Sequence, residues 1–180
     1  NAYAATSASE SIVKVTASNT AVAGTYSVEV KNLATSSKVA SQAFVGGADA
    51  AIPQGDLVIS QGGKDYTISV GENATLQTVR DQINKELGAS GFSANIIAGK
   101  DGARLVLGST TTGAGSDISV SGLGLDIDGT ESMASNGAGY VTGVAMDASV
   151  LIDGLEVTSA TNTVTDAISG IKLDLNGASA

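Results

Sequence analysis

Where the chain has a clear pattern, apolar and polar residues mostly alternate with a period of two, which predicts strands. The first are Ile12–Val15 and Thr25–Val30, the latter with Tyr26, Val28 and Val30 on one face and Ser27 and Glu29 on the other. Residues 33–44 are rich in Ser and Ala, weakly patterned, and read as extended. Leu57–Ser60 and Tyr66–Val70 flank Gln61-Gly62-Gly63-Lys64-Asp65, where glycines free to take positive φ predict a hairpin. The period then changes. Over Thr75–Leu87, the residues Leu76, Val79, Ile83 and Leu87 form one helical stripe, Asp81 and Lys85 stand at i and i+4, and Gly88 occupies the C′ position. That is an amphipathic helix. Strands resume at Phe92–Ile97, Arg104–Leu107 and Asp117–Val120, with turns at Gly99–Gly102 and Thr111–Ser116. Residues 122–143 are Gly/Ser-rich and carry little pattern, with a boundary expected near Tyr140. The last block predicts strands at Val150–Ile152, Leu155–Val157 and Ile171–Leu175. Between them a short helix is expected at Thr163–Ser169, where Thr163 and Asp166 approximate a capping box.

Turn residues recur about every ten positions, which marks antiparallel β architecture. The expected class is mainly β (α+β), arranged as two small antiparallel β-rich domains. An internal echo supports two related modules: Leu57–Asn84 reads strand, turn, strand, helix, and Val150–Ser169 repeats that order in shorter form. Two copies are too few for a solenoid.

Composition narrows the function. The hydrophobic fraction of 42% supports a core, but aromatics make up only 3% and Trp is absent, so Val, Ile, Leu and Ala must build it. Nine Lys and Arg against eighteen Asp and Glu give a net charge of −9. The few bases are scattered, which argues against binding to nucleic acid or to an anionic membrane surface. No apolar run reaches the roughly 18 residues of a membrane-spanning helix, and no signal-peptide pattern opens the sequence. Cys and His are both absent, so disulfides, thiolate chemistry and ordinary zinc sites are excluded. A chain without cysteine fits the cytosol, or export in an unfolded state through a narrow channel. The start at Asn1 and stop at Ala180 suggest a piece of something longer.

Candidate chemistry is sparse. Asp126-Ile127-Asp128-Gly129-Thr130-Glu131 has the alternating carboxylates of a calcium loop, but its glycine follows the second Asp directly and no EF-hand register fits. It reads as a structural turn. Paired acids for glycoside hydrolysis find no aromatic cleft and no His beside them. A nucleophilic Ser would need a lysine partner, and no S-x-x-K motif stands in a helical context. Gly122-Leu123-Gly124 lacks the third glycine and following helix of a phosphate loop. No catalytic, cofactor-binding or metal residue is therefore assigned, and the chain is not expected to be an enzyme. Edge strands and polar Ser/Thr/Asn faces remain as surfaces for binding or self-association.

Gly24-Thr25-Tyr26-Ser27-Val28-Glu29-Val30-Lys31-Asn32-Leu33-Ala34, followed by Ser-rich Thr35–Ser41, resembles the segment opening the outermost domain of the flagellar filament cap family, also called hook-associated protein 2. Thr75–Asn84, Phe92–Ser109 and Ala148–Leu175 match the same family in the same order. The last stretch is also similar to the hook-IN repeat of flagellin-related proteins. Residues 109–140 carry the least likeness.

The resemblance implies a discontinuous middle domain at 1–20 and 141–180, with the outermost domain inserted at 21–140. It implies that the family's long terminal coiled-coil helices lie outside this sequence. The implied function is structural: an oligomeric ring at the distal filament tip that promotes flagellin polymerisation and serves motility, with flagellin and further copies as partners and no cofactor. Secretion through the flagellar export channel would explain the missing cysteines. Without the terminal helices the piece is expected to be monomeric or weakly associating. Some family members attach to host mucin, so the alternative is an adhesin module for mucin or glycans. A flagellin or hook-associated relative with similar inserted domains is the nearest structural alternative.

Overall fold

The computed structural model of the chain describes residues 4–180. It divides into two compact units. The terminal unit holds the described residues up to Thr35, the short stretch Thr112–Ala114, and Met146–Ala180; the central unit holds Ser36–Thr111 and Gly115–Ala145.

The central unit is built on two four-stranded sheets. In one, Gly55–Gln61 lies between Lys64–Val70 and Ser119–Ser121, with Ile127–Asp128 beyond. Its hairpin closes on Gly62 and Gly63 at φ 59° and 79°, the positive pair that a two-residue type I′ turn requires. The turn sets the register so that Leu57 faces Ile68, and both are fully buried. In the other sheet the order is Gly139–Tyr140, Ser36–Ala40, Gly102–Thr112, Phe92–Gly99. A short pairing of Ala51–Ile52 with Ala74–Thr75 leads into the helix.

The helix runs Leu76–Leu87. Thr75 and Thr78 form a reciprocal capping box, each backbone N–H donating to the other's hydroxyl at 2.8 and 3.2 Å. The expected stripe Leu76, Val79, Ile83 and Leu87 is buried and joins the core with Leu57, Ile59, Leu105 and Leu107. Two local details differ from expectation. Gly88 stays right-handed, the chain continues through a 3-10 turn, and Gly91 at φ 91° makes the reversal. Asp81 pairs with its neighbour Arg80 at 2.9 Å, a contact set by their adjacency on the exposed face.

The terminal unit has two three-stranded antiparallel sheets. One orders Val13–Ala17, Ile171–Leu175 and Thr163–Ile168; the other orders Leu155–Ser159, Ala148–Ile152 and Val28–Asn32. Their inner faces enclose Val13, Val30, Val150, Ile152, Val164, Leu173 and Leu175. The short helix expected at Thr163–Ser169 is a strand instead. Val164 points into the core opposite Leu173, and Thr163 donates its hydroxyl to Asp174 across the sheet at 3.0 Å rather than capping a helix. Asp166 takes φ 65° within an irregularity between Thr165 and Ile168, so it cannot stand at a helical N3 position. The internal echo therefore ends at the hairpin.

Other boundaries also move. The strand expected at Thr25–Val30 begins at Val28. It pairs with Ala148–Ile152, which draws residues 21–35 into the terminal unit where the resemblance implied the insertion. The return crossing falls between Ala145 and Met146.

Candidate functional site

The acidic turn was the strongest motif for chemistry, and its oxygens serve the local backbone. Asp128 Oδ1 accepts from the Thr130 hydroxyl at 2.7 Å and from the Thr130 N–H at 3.0 Å. These two bonds, the hydroxyl first, favour the ionised carboxylate and hold its pKa below the ordinary value. Asp126 Oδ1 accepts from Gly122 N–H at 3.1 Å, closing the loop that carries Gly122, Leu123 and Gly124 at positive φ. Leu123 packs against the central core. No group of three or more acids that could hold a metal ion occurs among the described residues.

Ser37 and Lys38 are adjacent but face opposite sides of their strand. Ser37 is buried and accepts the Ile118 N–H at 2.9 Å, while Lys38 is exposed. They form no nucleophile–base pair.

What the described residues offer is surface. In the central unit a cleft of about 400 Å³ lies over Val106 and Gly108, walled by Lys38, Ser93, Asn95 and Thr110. Gly108 contributes no side chain on the middle strand, and a Cβ there would stand 3.3 Å from Ser93 Oγ. The cleft has hydrogen-bond donors and acceptors and one cation. In the terminal unit a larger groove of about 510 Å³ is floored by Val15, Ile168, Ile171 and Leu173. Val22 and Tyr26 stand on its rim, 75% and 43% exposed. Sequence patterning gave no signal for either because each gathers residues from separated segments.

Three family models match. The flagellin hook IN motif covers residues 56–111, and the N-terminus and C-terminus models of flagellar hook-associated protein 2 cover 1–37 and 145–180. The hook IN match thus falls on the helix-bearing segment of the central unit. The resemblance placed that repeat on 148–175, which has no helix and lies wholly within the C-terminal model instead. Among curated relatives, the B-type flagellar hook-associated protein 2 of Pseudomonas aeruginosa is 42% identical over 97% of this chain and 40% of its own length. The A-type protein is 37% identical over 95% of this chain and 39% of its length. The chain thus spans about two fifths of these relatives. Among solved structures, FliD (HAP2) from Pseudomonas aeruginosa superposes with a TM-score of 0.85 at 37% identity, covering 93% of this chain and 80% of that one. The D2-D3 domains of the flagellar cap protein from Serratia marcescens give 0.78 at 27% identity, covering 93% and 94%.

Proposed function

The chain belongs to the flagellar hook-associated protein 2 family of filament cap proteins, and from that premise we propose that it supplies the two outer domains of a cap subunit. The central unit is the outermost domain and the terminal unit the middle domain into which it is inserted. In the protein extended to the length of its relatives, copies form a ring at the distal, extracellular filament tip. The ring promotes polymerisation of exported flagellin and so supports motility. The subunit works by shape and contact, without a cofactor and without catalysis.

The observation carrying this reading is the likeness to a solved cap protein over 93% of the chain at 37% identity. The two contact surfaces, the cleft of the central unit and the groove of the terminal unit, support it.

Light scattering tests the assembly. The 180-residue chain should be monomeric or weakly associating, and the chain extended to its relatives' length should form a discrete oligomer. An extended chain that stays monomeric at every concentration would overturn the ring. Motility supplies a second arm: in a bacterium lacking its own cap, the extended chain should restore swimming, and continued release of unpolymerised flagellin into the medium would count against the cap.

A further inference from the structure

The strand Phe92–Gly99 is the outer strand of its sheet, and its sequence, Phe-Ser-Ala-Asn-Ile-Ile-Ala-Gly, contains no charged residue. Charge on the strand is a common means of keeping an exposed edge from pairing with another chain. Ile97 on this strand is 54% exposed. The edge therefore combines unprotected backbone with apolar surface.

One side chain occupies it at Ala94. Gly99 faces Gly102 across the Lys100-Asp101 loop, and counting back in pairs places Ala94 among the residues whose N–H and C=O face away from the partner strand. Asn84, on the helix, meets both groups. Its Nδ2 donates to Ala94 O at 2.8 Å, and Ala94 N–H donates to its Oδ1 at 2.7 Å. A carboxamide used this way reproduces the pair of hydrogen bonds that a residue of a neighbouring strand would make. The same device recurs in the terminal unit. Asn162 exchanges bonds of 2.7 and 3.1 Å with Ala34, just past the outer strand Val28–Asn32. On that strand Ser179 takes the Val30 N–H on its hydroxyl at 3.0 Å and donates its own N–H to Val30 O at 2.8 Å.

We propose that Asn84 is an edge guard, which prevents Phe92–Gly99 from pairing with the same strand of a second copy. The blander account is that Ala94, 1% exposed, merely needs partners for buried backbone groups. The two accounts separate on association, because hydrogen-bond satisfaction alone affects stability and leaves the oligomeric state unchanged.

The experiment uses the 180-residue chain with Asn84→Leu, which keeps the branched side-chain shape and removes both hydrogen bonds. Amide exchange at Ala94 should rise about tenfold or more. Sedimentation velocity should show a concentration-dependent dimer beyond the wild-type mass. Adding Ile97→Lys should abolish that dimer while exchange at Ala94 stays fast. A variant with fast exchange and wild-type mass at every concentration would overturn the guard, as would unchanged exchange. If Asn84→Leu does not fold, Asn84→Ala removes both hydrogen bonds without adding bulk or charge, and the same two readings decide.

Discussion

The two units reach stability by different routes. The central unit backs its sheets with a capped helix and gathers nineteen buried residues into one cluster among those described; the terminal unit has sheets alone and gathers nine. Each buried aliphatic side chain contributes about 1.5–3 kcal/mol relative to exposure. The central unit thus gains more from apolar burial, and it also has the longer chain to order. The terminal unit depends more on the partnering of strands contributed by distant parts of the chain, such as Val13–Ala17 with Ile171–Leu175.

The sharpest way to break this contrast is to cut one core at a time. Ile83→Ala and Leu173→Ala should each cost about 2–5 kcal/mol. Calorimetry should show Ile83→Ala lowering the transition of the central unit and Leu173→Ala that of the terminal unit. A shift of both transitions by either variant would mean that the two cores melt as one. A smaller effect tests the helix itself. Thr75→Ala removes the cap and should cost about 1 kcal/mol, read as a lower midpoint in urea with an unchanged slope.

The corresponding residue in the terminal unit shows why sequence patterning succeeded in one unit and failed in the other. Thr75 precedes a stripe of four apolar residues spanning three turns, so local periodicity and the cap agree. Thr163 also precedes an apolar residue and has an acid three positions on, but its apolar set Val164, Ala167 and Ile168 spans little more than one turn before Gly170. What decides its conformation is Ile171–Leu175, which offers a partner strand beyond the Gly170 turn. The hairpin at Gly62-Gly63 was legible because its turn chemistry is local; the pairing of Val28–Asn32 with Ala148–Ile152 was not, because neither sequence identifies the other. The cleft, the groove and the bidentate bonds of Asn84 and Asn162 also depend on tertiary placement, which leaves no periodic trace. Thr163→Ala should thus cost only about 0.2–1 kcal/mol, the range of a cross-strand pair. A loss of helical circular dichroism in that variant would contradict the strand.

The smallest expected effect lies in the acidic turn of the central unit. With its pKa held below the ordinary 3.8, the ionised Asp128 favours the folded turn. That contribution is present above the ordinary value and fades as the pH falls through the lowered one. Thr130→Val removes the stronger of its two donors, so an NMR titration should find the Asp128 pKa raised toward 3.8. An unmoved titration would reassign the cause to the remaining backbone bond.

The division of the terminal unit into early and late segments also imposes an order in time. Val13–Ala17 and Val28–Asn32 lie near the start of the chain, while their partners Ile171–Leu175 and Ala148–Ile152 lie near its end. Ser36–Ala145, apart from the brief excursion Thr112–Ala114, contains everything the central unit needs. A chain delivered amino end first therefore presents the central unit with all its strands while the terminal unit is still waiting for its own. The early strands must remain unpaired through that interval, until Ala148–Ile152 and Ile171–Leu175 arrive to close the unit.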